Sequence, residues 1–228
     1  MYRAISEYNC GAIYRPPQPI IAHVEVEGRI QVVHVKNTGR CKELLVPGAT
    51  VYLEGSSDPK RKTAWDLVAV EKGEWLINMD SQAPNRVFGE WVQAGKFLPD
   101  VTLLRPETPY GDSRFDFYIE AGGKRHFVEV KGVTLEEGGV VRFPDAPTQR
   151  GVRHLEELIA AHGAGYECWA CFVVQMSGVK WFEPNDRTHP RFGEVLRQAA
   201  QAGVHILALE CRATQDTLAI SGTVPVRL

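Results

Sequence analysis

In Arg114-Phe115-Asp116-Phe117-Tyr118-Ile119 apolar residues recur at every second position, which predicts a strand with Phe115, Phe117 and Ile119 on one face and Asp116 on the other. The run Phe127-Val128-Glu129-Val130-Lys131 alternates in the same way and points Glu129 and Lys131 together. Between them, Gly122-Gly123 has the composition of a two-residue hairpin turn. Such a turn sets Asp116 directly across from Glu129, with Cβ atoms roughly 5 Å apart. Two carboxylates so placed repel each other, and a bound cation removes the penalty. Oxygen ligands at that separation suit Mg²⁺ or Mn²⁺, which need only a couple of carboxylates and complete their shell with water and phosphate. The metal would lower the pKa of an attacking water and polarise phosphate oxygens, while Lys131 holds the scissile phosphate or helps deprotonate that water. Asp116, Glu129 and Lys131 are therefore the expected catalytic residues. The competing reading of E-x-K is a solvated Glu–Lys ladder without chemistry. The apolar backing of both strands, the matching register of Asp116 and a basic helix downstream favour the site.

Bulk properties narrow the setting. With 44% hydrophobic and 24% charged residues the chain can bury a core and is not disordered. A net charge of −2 argues against a protein that coats nucleic acid through a basic surface, so any nucleic-acid site is local. The N-terminus lacks a leader pattern and no run of about 18 apolar residues occurs, from which a cytoplasmic location without a membrane partner is expected. Five cysteines form no disulfide framework. Cys168 and Cys171 spell C-x-x-C, open to a zinc or redox reading. No second ligand pair accompanies them, and strand positions three apart face opposite sides, so they read as packing residues. The absence of a G-x-S-x-G elbow weighs against a serine hydrolase.

The elements that would position the carboxylates fall into two units, 1–79 and 80–228. From residue 20 to 79 short alternating runs dominate: a hairpin of 21–26 and 30–35 around Glu27-Gly28, then strands at 50–53, 66–71 and 75–78. About five short strands suggest an OB-like β-barrel, an architecture that often binds oligonucleotides. After Met79 helical and strand-like segments alternate. A helix is expected after Pro84 with Val87, Phe88, Trp91 and Val92 as its apolar stripe, followed by strands at 114–119, 125–131 and 140–143. A helix over 147–162, a strand over 168–175, a helix over 191–202 and a strand over 205–210 complete an α-β-β-β-α-β core with additions.

Asp116 with Glu129-Val130-Lys131 resembles the core of the PD-(D/E)xK restriction-endonuclease-like α/β fold. The wider pattern resembles the sugar fermentation stimulation protein family. It is carried by His34-Val35-Lys36-Asn37-Thr38-Gly39-Arg40, Ser113-Arg114-Phe115-Asp116-Phe117, Val128-Glu129-Val130-Lys131-Gly132-Val133-Thr134-Leu135 and Phe143-Pro144-Asp145-Ala146-Pro147-Thr148-Gln149-Arg150-Gly151. The proline that precedes the first acid in the superfamily's short name is absent here, where Arg114-Phe115 stand. The resemblance implies an N-terminal OB-like domain, a nuclease-like domain and DNA as partner. It leaves two functions open: a metal-dependent nuclease using Mg²⁺ or Mn²⁺, or a DNA-binding regulator of sugar metabolism that kept the nuclease fold without cleavage. It also implies an acid on the first helix, Glu90, as a metal ligand beside Asp116 and Glu129; the alternative is a pair with Arg86 one turn earlier. Asn37 and Arg40, at a strand end running into a loop, and Arg150 and His154, one turn apart on the helix after Pro147, are the expected nucleic-acid contacts. Arg153 and Glu157 read as an ordinary i,i+4 pair. A homodimer stays open.

Overall fold

Alternation in the first 80 residues closes into a barrel. The computed structural model describes residues 2–3, 8–18, 21–37, 39, 41–56, 58, 60–111 and 113–228, side chains excepted at 2–3, 8–9 and 15–18. After a short β1 (Tyr2–Arg3), the barrel strands are β2 (Tyr8–Gln18), β3 (Ile21–Val26), β4 (Arg29–Val35), β5 (Thr50–Gly55) and β6 (Trp65–Lys72), with β7 (Trp75–Asn78) added beside β6. The β3–β4 hairpin forms as expected, and Glu27 and Gly28 both take the positive φ its tight turn requires. Neighbours run β4-β3-β2-β5-β6, and a parallel β6–β4 contact closes the ring, giving a five-stranded OB-type barrel. Val24, Val33, Val51, Leu53, Leu67 and Val70 fill it. Sequence periodicity misses β2, whose register slips twice and which contains Pro16-Pro17.

The closing seam pairs only His34 with Asp66 and Val35 with Leu67. Asp66 reinforces it: its carboxylate accepts from His34 Nδ1 at 2.9 Å and from Arg61 Nη1 at 2.8 Å. Burial works to raise the Asp66 pKa, but the Arg61 and His34 hydrogen bonds outweigh it and hold the carboxyl below the ordinary aspartate value. The folded value therefore lies below the unfolded one of about 3.9. The stabilisation is complete above about pH 4 and is lost as pH falls through the folded value. Asp66→Asn is expected to cost about 1–2 kcal/mol at pH 7 and far less at pH 2, as read by urea titration at both pH values.

The second unit is a seven-stranded sheet in the order β1-β16-β15-β13-β10-β9-β8. Its strands are β8 (Val101–Tyr110), β9 (Ser113–Ala121), β10 (Lys124–Val133), β13 (Glu167–Val174), β15 (His205–Ala213) and β16 (Thr217–Val224), joined by β1 from the chain start. β10, β13 and β15 run parallel, and the central β13 is buried over most of its length, as a strand covered on both faces must be. Helix α1 (Ala83–Gln93) packs Val87, Phe88 and Val92 on one face; α2 (Gln149–Gly163) and α3 (Pro190–Gln201) cover the other. Cys168 belongs to the core under α2 and Cys171 to the core under α1, so the C-x-x-C pair is split by the sheet. Burial pushes the Cys168 thiol up to about 12, in keeping with a packing role.

One strand assignment is corrected. The segment expected as the third core strand, β12 (Val140–Phe143), lies in a separate small sheet with β11 (Leu135–Glu137) and β14 (Trp181–Pro184). The chain turns there at Gly138-Gly139, both at positive φ. Its place beside β9 is taken by β8, which carries Pro106 and Pro109 and sits at the sheet edge, where a missing backbone donor is tolerated.

Candidate metal centre

Gly122 and Gly123 take φ of 56° and 73°, and the β9–β10 ladder runs in the expected register from Lys124↔Ala121 to Val128↔Phe117. It stops one pair short of Asp116 and Glu129. The parity of a two-residue hairpin would give the Val130 N–H to a β9 carbonyl; instead the donor goes to Asp116 Oδ2 at 2.7 Å. On the other side of Asp116, Glu107 of β8 stands at φ 48°, a strained value for a non-glycine residue. The strand therefore turns about its axis at Asp116. Phe117 and Ile119 join the core under α1, whereas Phe115 packs on Phe127 at 4.9 Å in the core under α2, so the three apolar residues do not share one face.

The kink defines the site. Asp116 Oδ1 accepts from Asn85 Nδ2 on the first turn of α1 at 2.9 Å. Sequence reasoning overlooked Asn85, whose only signal was its position next to Pro84. Glu129 is 2% exposed, and its Oε1 accepts from Lys131 Nζ at 2.5 Å and contacts His154 Nδ1. Its Oε2 is buried with no hydrogen-bond partner. Burial and then the Glu129 charge raise the Asp116 carboxyl. Burial works to raise Glu129 as well, but the His154 hydrogen bond and the Lys131 charge outweigh it and leave Glu129 below its ordinary value. One carboxylate is thus held charged beside another that resists its charge, and the second oxygen of the charged one is buried without a donor. That arrangement fits a hard divalent cation. Among the described residues no three His, Cys, Asp or Glu side chains converge on one point. Asp116 and Glu129 would be the protein ligands, with water and phosphate supplying the rest, as Mg²⁺ accepts.

The other expected residues divide. Glu90 does not converge with the two acids; it lines a cleft of about 790 Å³ that Asn85, Glu107 and Asp116 also line. Arg150 lines a cleft of about 720 Å³ with Arg114, Arg153, His154 and Glu157. Arg150 Nε donates to His154 Nε2 at 3.2 Å. His154 is buried, and both ring nitrogens are engaged by protein groups, which takes it out of direct contact with nucleic acid. Arg153 and Glu157 form no bridge among the described residues, and Glu157 Oε2 is buried without a partner. Asn37 uses its side chain within the chain, donating to the Met79 carbonyl at 3.1 Å and accepting from Gly39 N at 2.7 Å. It lines a groove of about 290 Å³ where the barrel meets Gly132, Thr134, Asp145 and Thr148. Arg40 lies outside the described residues.

Residues 21–79 match the family described as the SfsA N-terminal OB domain, and residues 82–217 the one described as the sugar fermentation stimulation protein RE domain. The sugar fermentation stimulation protein homolog of Clostridium beijerinckii is 52% identical over 212 residues, covering 93% of this chain and 94% of the relative. That of Desulfitobacterium hafniense is 51% identical over 218 residues, covering 96% and 95%. The structure of Pyrococcus furiosus SfsA in complex with Ca²⁺ superposes with a TM-score of 0.89 at 26% identity over 100% of both chains. No helix among the described residues is long and apolar enough to cross a membrane.

Proposed function

The chain belongs to the sugar fermentation stimulation protein family, and we propose that it is a metal-dependent nuclease that hydrolyses phosphodiester bonds of nucleic acid, DNA foremost. The observation that carries this reading is Glu129 Oε2, a buried and unpartnered carboxylate oxygen beside a second carboxylate. The relative from Pyrococcus furiosus was captured with Ca²⁺, a cation of the same hard-oxygen class, which supports a divalent ion on this fold. Bound at Asp116 and Glu129, Mg²⁺ or Mn²⁺ would supply an acidified water and Lewis-acid polarisation of the phosphate. The chain's own residues do the remaining work. Lys131, held by Glu129, brings a fixed positive charge to the phosphate as negative charge builds in the transition state. Arg150 and Arg114, on the cleft beside it, take neighbouring phosphates with a fork that lysine cannot copy. The groove at Asn37 and Gly39 gives the barrel a place to guide the strand.

The test is incubation of the purified chain with single- and double-stranded DNA and RNA in Mg²⁺, Mn²⁺ or EDTA. Cleavage is expected with either metal and none in EDTA, and Lys131→Ala is expected to slow it about 10²-fold. Cleavage that persists in EDTA, or that Lys131→Ala leaves untouched, would overturn the assignment. Binding without cleavage under every condition would favour a DNA-binding regulator on a nuclease fold.

A further inference from the structure

His154 presents an unusual set of neighbours. It is the one buried polar residue of α2 among the described residues, with Glu129 on one side of the ring and Arg150 on the other. Arginine has no acceptor and keeps its protons. Its Nε–H must therefore donate to His154 Nε2, which leaves the ring proton on Nδ1, facing Glu129 Oε1. Lys131 Nζ lies 3.3 Å from the same Nδ1; with a proton on each nitrogen this is proximity, and the lysine's bond is the one to Glu129 at 2.5 Å. Only one carboxylate oxygen of Glu129 is used by this set. The other is buried and unpartnered.

We propose that Arg150 and His154 form an outer hydrogen-bond relay that orients Glu129, saturating Oε1 and presenting Oε2 to the cation. An exposed arginine at the rim of the cleft would thereby set the affinity of a cation site it does not touch. This proposal rests on the metal centre proposed above. In it His154 is a positioning residue that acts through Glu129, and Arg150 fixes the tautomer the position requires. Partners of this kind, once removed, typically cost 10–100-fold in metal affinity. Arg150 spends only its Nε on the relay, so its terminal amino groups remain for an anion in the cleft. A phosphate held there would stiffen Arg150 and with it the relay. By linkage, the cation would then tighten phosphate binding by the same factor.

The sign of one substitution separates the relay from simple electrostatics. Arg150→Ala removes a positive charge near a cation site, which by Coulomb's law alone would tighten cation binding. The relay requires the opposite. The experiment is calorimetric titration of the full-length, EDTA-stripped chain with Mg²⁺, repeated with Ca²⁺, comparing wild type, Arg150→Ala, Arg150→Lys and Arg153→Ala. Arg150→Ala is expected to bind roughly tenfold or more weakly, with the melting temperature of the metal-free chain unchanged. Arg150→Lys, which keeps the charge and loses the Nε donor, is expected to behave the same way. Arg153→Ala removes an equal charge from the same cleft without touching His154, and its affinity is expected to equal or exceed that of wild type. His154→Leu is expected to weaken the cation at least as much as Arg150→Ala. Should that buried substitution unfold the chain, the exposed arginine variants decide alone. A wild type that binds cation while Arg150→Ala binds it equally or more tightly overturns the relay. A wild type that binds neither cation overturns the metal centre itself.

Discussion

Glu129→Gln is expected to cut metal-dependent cleavage by about 10³-fold, roughly 4 kcal/mol of transition-state stabilisation, with the fold intact. The argument is one of donors and acceptors. Glu129 Oε1 faces Lys131 Nζ and His154 Nδ1, both carrying protons, so the amide oxygen of glutamine must take that position. Its NH₂ group then occupies the place of the unpartnered Oε2 and would turn hydrogens toward the proposed cation. The substitution is nearly isosteric and keeps an acceptor for Lys131, so circular dichroism and the metal-free melting temperature should stay at wild-type values. Asp116→Asn is a less clean probe. Asp116 accepts from both Asn85 and the Val130 backbone, and an asparagine with one acceptor oxygen cannot satisfy two donors on opposite sides. Cleavage time courses in Mg²⁺ and calorimetric titration of the same samples check the expectation. A Glu129→Gln variant that cleaves within tenfold of wild type and still binds Mg²⁺ would remove Glu129 from the centre.

Much of this centre is legible in the sequence because short-range rules set it. Gly122-Gly123 determines the hairpin register, and a period of two points Glu129 and Lys131 together. The face switch at Asp116 is not legible. Phe115, Phe117 and Ile119 alternate as though on one face, and what parts them is tertiary: Glu107 at positive φ on one neighbour strand and the Asp116 bond to Val130 on the other. Helical spacing places Arg150 and His154 on one side, yet nothing local announces that this side meets Glu129 across the core. Strand β8 escapes for a different reason. Its prolines and polar residues describe a loop, and they are tolerated only because the strand lies at the sheet edge. The barrel is legible through β3, whose buried positions recur at every second residue, and illegible at β2, whose bulges break the period.

Lys72→Met is expected to give the largest loss of stability, about 2–4 kcal/mol, a fall of roughly 5–15 °C in melting temperature. Lys72 ends barrel strand β6, and its Nζ reaches Glu136 of β11 in the second unit, donating to Oε2 at 2.8 Å and to the backbone carbonyl. Glu136 is 1% exposed, and its other oxygen accepts from Gly139 N in the β11–β12 turn. Removing the ammonium strands a carboxylate charge in the interior, where desolvation is no longer offset. Lys72 itself keeps some contact with solvent, which places the expected cost at the lower end for a broken buried pair. A second substitution separates charge from packing. In Lys72→Met/Glu136→Gln the neutral amide keeps an oxygen for Gly139 and carries no charge, so more than half of the lost stability should return. Thermal and denaturant unfolding of the two variants beside wild type check both steps. If Lys72→Met costs less than about 0.5 kcal/mol, below the ordinary range for breaking such a pair, the ion pair does not hold the barrel to the second unit. The joint would then rest on Gln175, whose Nε2 donates to Asn78 Oδ1 at 3.0 Å and whose backbone carbonyl accepts from Asn78 N at 2.9 Å.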